Sequence, residues 1–292
     1  MYKEKIVRKS ELLQLILLDN LYAQSGSERI IFQGGTALRW IYNGLRFSED
    51  LDFVTDLPGK DVENILATTF QKTQMACIAQ FGPGQSEFKN KSGRKQAIKT
   101  FFIFCPQAQR ERIAVKLEFD FLKSGHKPQF QKFILRDLSS VVGLITEGKL
   151  IIPYSSSIIL AETPDEILSD KIRALYERKH IKGRDIYDIW SISTQLKVFP
   201  NWGTVREKLE MYQTPFALTR AINYFQQRKS TSSILGALKS DLPRFLPQNV
   251  ISIHQEKNFN DFITNLKEVT SHLLAQGMKE YFKEYERRKI NA

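Results

Sequence analysis

The stretch FQGGTALRWIYNGLRFSEDLDFV, residues 32–54, holds two features that each carry a chemistry. Its glycine pair, Gly34 and Gly35, follows the apolar run RIIF and precedes a segment of helical spacing, Ala37 to Asn43. Such a turn aims main-chain N–H groups, and the positive end of a helix dipole, at whatever anion lies in front of it. Thr36 then serves as helix cap or phosphate contact. The second feature is the strand around LDFV. Side chains two apart in a strand point the same way, so Asp50 and Asp52 share one face while Leu51 and Phe53 take the other. Two carboxylates about 6 Å apart repel by roughly 3 kcal/mol at an effective dielectric of 20, and a cation between them removes that cost. Hard oxygen ligands suit Mg²⁺ or Mn²⁺, which fill their other positions with water and substrate phosphates. Arg46 and Ser48 flank the acidic strand and are candidates for positioning phosphates. Alone, each feature also fits a plain tight turn or a solvent-facing edge strand. Together they put a phosphate cradle and a metal site in one supersecondary unit.

A third carboxylate comes from ERIAVKLEFDF, residues 111–121, whose period of two marks a half-buried strand. Lys116, Glu118 and Asp120 lie on one of its faces and Val115, Leu117 and Phe119 on the other. If this strand pairs beside LDFV, Glu118, with Asp120 as the alternative, completes a three-carboxylate cluster. If not, all three charges face solvent.

The bulk properties narrow the partners. A chain of 292 residues, 42% hydrophobic and 26% charged, can bury a sizeable core and suggests two domains. Its 43 Lys+Arg against 32 Asp+Glu give a formal charge of +11, which favours polyanions: nucleic acid, nucleotide or an anionic membrane surface. The longest apolar runs, LLQLILL and FFIFC, fall far short of the roughly 20 residues of a membrane helix. The opening MYKEKIVRKSELLQLILL is interrupted by Glu11 and Gln14 and lacks a small-residue cleavage site, so it reads as a helix with one apolar face. Cys77 and Cys105 are too few for a disulfide framework and fit core positions of a cytoplasmic protein. The four histidines are scattered, so a metal here is held by oxygen.

Periodicity divides the chain. A helix over residues 10–24, the strand RIIF, a helix from Ala37 to Asn43, the strand LDFV and a helix from Lys60 to Cys77 are followed by the strands KQAIKTFFIF and ERIAVKLEFDF. The lysine-rich EFKNKSGRKQAIK reads as a hairpin loop, more a solvated turn than a nucleic-acid contact. From Thr163 on, PDEILSDKIRALYERKH, GRDIYDIWSIS, TVREKLEMY, FALTRAINYF, TSSILGALKSDL and a long segment from Asn258 to Arg288 all read as helices. The expected fold is α+β: a mixed sheet flanked by helices over residues 1–162, then a helical bundle over 163–292. Pro153, the serine run and Pro164 mark the boundary, and Thr163-Pro164-Asp165-Glu166 carries a capping-box spacing with proline in the first helical position.

The run G-G-T-A-L-R followed by R-F-S-E-D-L-D-F resembles the signature of the AbiEii/AbiGii-type nucleotidyltransferase toxins of bacterial toxin–antitoxin systems, within the DNA-polymerase-β-like nucleotidyltransferase superfamily. Fourteen residues separate Gly35 from Asp50, similar to that family's own spacing. LSDKIRALYERKHIKGRDIYDIW resembles its later motifs, a lysine on one helix and an R-D-x-x-D segment starting the next. The resemblance spans about Ile30 to Ser191. It implies Mg²⁺-dependent attack of a hydroxyl on the α-phosphorus of a nucleoside triphosphate, with Asp50, Asp52 and Glu118 on the metal and Gly34, Gly35 and Thr36 on the β- and γ-phosphates. Lys171 would reach the triphosphate and Asp185 would hold Lys171 or the acceptor, so that the helical domain contributes to the nucleotide and acceptor cleft. Asp188 is expected to support Arg184 or helix packing. The implied acceptor is RNA, the 3′ end of tRNA above all, and the implied partner a cognate antitoxin protein. A small-molecule or protein acceptor, or an inactive nucleic-acid- or antitoxin-binding module, are the competing readings.

Overall fold

The computed structural model describes residues 4–91, 96–108, 111–151 and 157–290. The chain clusters into two compact units, one ending at Thr163 and one beginning at Pro164. The first runs α1 (Glu4–Tyr22), β1 (Ile30–Gln33), α2 (Gly34–Trp40), β2 (Asp50–Thr55), α3 (Gly59–Phe81), β3 (Gly84–Lys91), β4 (Ala97–Pro106), β5 (Ile113–Phe121), β6 (Phe130–Ile134), α4 (Ser139–Thr146) and β7 (Ile158–Glu162). Its strands form one sheet in the order β3-β4-β5-β2-β1-β7-β6. β2 pairs with β5, and β1 with β7, in parallel, while the other neighbours are antiparallel.

Register in this sheet is set by phenylalanine. Phe32, Phe53 and Phe119 stand opposite one another on β1, β2 and β5, fully buried, with ring centroids 5.4 and 4.8 Å apart. Burying each ring is worth about 1.5–3 kcal/mol. One residue along, on the other face, the row is Gln33, Asp52 and Glu118. A slip of one residue would send these polar groups into the core and expose the rings, so the hydrophobic pattern fixes which carboxylates are neighbours. Helix α1 packs on α3 and β5, and α3 on β3 and β4. Leu13, Leu15, Ile16, Leu17, Leu18 and Leu21 of α1 are all fully buried, so this helix is enclosed rather than one-sided. Even Gln14 is buried, donating to the Ser48 carbonyl at 2.7 Å and accepting from the Trp40 indole at 3.1 Å.

The second unit is helical: α5 (Pro164–Glu177), α6 (Gly183–Thr194), α7 (Trp202–Glu210), α8 (Ser230–Phe245), α9 (Gln248–Glu256), α10 (Asn260–Leu273) and α11 (Lys279–Ile290). Tyr176, Phe225 and Phe282 meet edge-to-face in its core, at 5.4 and 5.1 Å. Helix α6 crosses α8 so closely that a Cβ on Gly183 would overlap the Ala237 main chain. Asp241 of α8 accepts from the Gly183 N–H at 2.8 Å and so caps α6.

Several elements differ from the sequence expectation. FALTRAINYF is not a helix; only a short 3₁₀ turn, Tyr224–Gln226, forms there. Its backbone instead closes the end of α5: the Thr219 N–H and hydroxyl both donate to the Tyr176 carbonyl, at 2.9 and 2.8 Å, and Arg220 donates to the Leu175 carbonyl. Those carbonyls have no partner within α5, and the loop satisfies them. The long closing helix is broken between α10 and α11 at Gly277, whose φ of 123° no helix contains. Strands β3, β6 and β7 and helices α4 and α9 have no counterpart in the expectation. EFKNKSGRKQAIK is mostly strand, contributing to β3 and β4, and Ser92 to Lys95 lie outside the described residues, as do Ile152 to Ser156 of the interdomain stretch. Cys77 is buried, but Cys105 is half-exposed on β4 rather than a core residue, and neither is in a disulfide. Among the described residues no helix is long and apolar enough to cross a membrane.

Candidate active site

The glycine turn and the acidic strand are in direct contact. Gly34 has φ +79° and a Cβ there would sit 2.8 Å from Asp52 Oδ2, so both backbone angle and space require glycine. At Gly35 a Cβ would overlap the Arg46 guanidinium and come within 3.1 Å of Ser48 Oγ. Arg46 and Ser48 are therefore buried against the turn, with Arg46 Nη1 donating to the Phe47 carbonyl at 2.8 Å. Thr36 is fully buried and its hydroxyl donates to the Asp50 carbonyl, tying the start of α2 to β2. Its side chain is thereby committed to the scaffold. Helix α2 starts at Gly34, ahead of the expected Ala37, and is only seven residues long. Gly35→Ala is expected to cost about 1–3 kcal/mol by forcing Arg46 aside, read as a lowered urea midpoint; an unchanged midpoint would contradict the packing described.

β5 lies alongside β2, with Asp50 opposite Lys116, Asp52 opposite Glu118 and Val54 opposite Asp120. Glu118 thus shares a row with Asp52, and Asp120 is one row removed. The three carboxylates share a face without closing on a common point, and among the described residues no three His, Cys, Asp or Glu side chains converge closely enough to grip an ion. What stands among them is lysine. Lys116 Nζ lies 2.9 Å from Asp50 Oδ2 and also pairs with Glu118, while Lys99 of β4 pairs with the other Glu118 oxygen at 2.5 Å. Burial alone would raise the Glu118 carboxyl, but the Lys116 and Lys99 ammoniums outweigh it and hold it below the usual carboxylate range. Burial would likewise lower Lys116, yet Glu118 and Asp50 hold its ammonium above its ordinary value. The face is charged to receive a cation, and internal ammoniums supply that charge. Sequence alternation put Lys116 on this face; it gave no sign that the side chain would bridge two acids.

In the helical unit, Lys171 of α5 is buried and ion-paired with Asp185 Oδ1 at 3.1 Å and Asp188 Oδ2 at 2.8 Å. Asp185 and Asp188 are three apart on α6, so both face the same neighbour. Asp188, expected to support Arg184 or helix packing, is a partner of Lys171 and so ties α6 to α5. Burial would raise the Asp185 carboxyl, but Lys171 and Arg178 beside it hold it well below the usual aspartate range. A second buried cluster went unseen in the sequence: Lys208 of α7, fully buried, pairs with Glu166 at 3.1 Å and Asp170 at 2.8 Å, and the Tyr212 hydroxyl donates to Asp170 at 2.7 Å. Arg39 of α2 pairs with Glu11 of α1 at 2.8 Å.

A mixed sheet carrying a glycine turn against an acidic strand, followed by a helical unit, is a nucleotidyltransferase-like fold. The structure of JHP933 from Helicobacter pylori is similar at a TM-score of 0.54 and 15% identity, over 99% of this chain and 100% of that one. A provisionally assigned nucleotidyltransferase from H. pylori is similar at a TM-score of 0.52 and 16% identity, over 93% and 97% of the two chains. Residues 16–285 match the family described as the nucleotidyl transferase AbiEii toxin of a type IV toxin–antitoxin system, and the chain belongs to that family. No curated protein matches it.

Proposed function

We propose that this member of the nucleotidyltransferase toxin family transfers a nucleoside monophosphate from a nucleoside triphosphate to the 3′ end of an RNA, tRNA foremost, with a divalent metal ion, and that a cognate antitoxin restrains it. The observation that carries this reading is the row Asp52–Glu118 with Asp50 beside it, pressed against the Gly34–Gly35 turn. Asp50, Asp52 and Glu118 would hold Mg²⁺ or Mn²⁺, with Asp120 as the reserve ligand. Bound there, the metal would polarise the α-phosphate and lower the pKa of the attacking hydroxyl. The residues of the chain do the rest. The main-chain N–H groups of Gly34, Gly35 and Thr36, with Arg46 and Ser48 packed behind them, face the β- and γ-phosphates. Lys116 and Lys99, which now neutralise the acids, are free to turn to phosphate oxygens once a stronger cation replaces them.

The test is incubation with each α-labelled triphosphate and total tRNA, with and without Mg²⁺. Label should enter RNA from one preferred triphosphate, with pyrophosphate released, and should vanish without the metal. Label appearing on a small molecule or a protein, or none at all under any condition, would overturn the RNA reading.

A further inference from the structure

We infer that Lys116 is a built-in counter-ion for the carboxylates: it keeps a divalent ion out of them until a triphosphate arrives, so that metal and nucleotide enter the site together. This rests on the transferase reading for the identity of the two ligands and adds the residue that couples them.

The register of three strands builds the arrangement. Asp50 of β2 stands opposite Lys116 of β5, and Glu118, next on the same face of β5, stands opposite Lys99 of β4. Directly opposed side chains have Cβ atoms about 5 Å apart, well within a lysine's reach. Acid and ammonium therefore alternate across the sheet as Asp50, Lys116, Glu118 and Lys99. Lys116 Nζ lies 2.9 Å from Asp50 Oδ2 and pairs with Glu118 Oε1, while Lys99 Nζ lies 2.5 Å from Glu118 Oε2. The side chains of Lys116, Asp50 and Glu118 are only 22%, 23% and 18% exposed, so water and salt screen these pairs less than they screen a surface pair.

This ladder opposes a bare divalent ion in two ways. The carboxylates of Asp50, Asp52 and Glu118 stand against the ammoniums of Lys116 and Lys99, which leaves a single net negative charge to attract the ion. Lys116 also fills the gap between Asp50 and Glu118 that an ion held by both would take, and like charges a few ångströms apart repel strongly in a half-buried site. The ammonium must leave for the ion to enter, and it gives up both carboxylates when it does. With no anion in front of the site it turns to water. With a triphosphate against the Gly34–Gly35 turn it turns to phosphate oxygens, and the ion gains phosphate ligands as well. Each ligand then raises the other's affinity by the same factor, as linkage requires.

Mn²⁺ binding without nucleotide is measured by electron paramagnetic resonance for the full chain and for Lys116→Met, Lys116→Gln, Lys99→Met and the Lys116→Met/Asp50→Ala double variant. Lys116→Met and Lys116→Gln should each bind Mn²⁺ about tenfold more tightly than wild type, a factor usual for coupled sites. Lys99→Met leaves the bridge between Asp50 and Glu118 in place and should gain clearly less. The double variant should lose the gain, which places the ion at the carboxylates. The increase in affinity for a fluorescent non-hydrolysable triphosphate on adding Mn²⁺ should be smaller in Lys116→Met than in wild type. A lysine that only braced the strands would give the opposite sign, because its loss would loosen the carboxylates and weaken the ion. Mn²⁺ binding by both Lys116 variants no tighter than wild type, or an equal gain for Lys99→Met, overturns the counter-ion. If that happens while Asp50→Ala/Asp52→Ala still removes Mn²⁺ binding in the presence of triphosphate, the metal reading stands without it. If no protein binds Mn²⁺ at these carboxylates with or without triphosphate, the metal reading fails and the counter-ion falls with it.

Discussion

Asp52→Ala, and equally Asp50→Ala, is expected to reduce nucleotide transfer by about a thousandfold or more while the protein stays folded. Removing a carboxylate that holds a catalytic metal forfeits several kcal/mol of transition-state stabilisation, and roughly 4 kcal/mol is a thousandfold in rate. The fold does not depend on either side chain. Both are half-exposed, on the face opposite the phenylalanine row that sets the register. Asp50→Ala leaves Lys116 with Glu118 as partner, so no uncompensated buried charge results. Thermal unfolding should therefore move little. Transfer near the wild-type rate in either variant removes the pair from the mechanism.

The largest expected effect on stability lies elsewhere, at Lys208. Its ammonium is fully buried between Glu166, itself 2% exposed, and Asp170. Removing one partner of a buried ion pair leaves the others charged and unpaired, which costs about 3–5 kcal/mol. Lys208→Ala should lower the urea midpoint of the helical unit accordingly. Lys208→Met combined with Glu166→Gln should recover part of the loss, because the stranded charge is then gone. An unchanged midpoint for Lys208→Ala would mean that the carboxylates find other neutralisation.

The contrast between these two sites shows what a sequence can disclose. Asp50, Asp52 and Glu118 were legible because alternation in a strand is a local rule, and the apolar partners Leu51, Phe53, Leu117 and Phe119 declare the covered face. The pairing of β5 with β2 was not legible, because many strands have such a face, and the sheet itself supplies it. Lys208 obeys no comparable rule: within TVREKLEMY it looks like one more charge on a solvated helix surface, and only the packing of α7 on α5 encloses it. The pairing of Asp188 with Lys171 was not legible for the same reason, since Lys171 lies on a different helix. FALTRAINYF has helical composition, and it forms a loop because the end of α5, 43 to 45 residues earlier in the chain, offers carbonyls that Thr219 and Arg220 satisfy, a demand no local propensity records. β6 was invisible because FQKFI is largely exposed and shows no alternation.

The proposed mechanism requires Asp50, Asp52 and Glu118 to take a divalent metal in place of the lysine that now bridges Asp50 and Glu118. Mn²⁺ binding in the presence of a non-hydrolysable triphosphate, followed by electron paramagnetic resonance, tests it most directly. Wild-type protein should bind the ion saturably, and the Asp50→Ala/Asp52→Ala double variant should lose that binding; equal Mn²⁺ binding by both proteins would contradict the account.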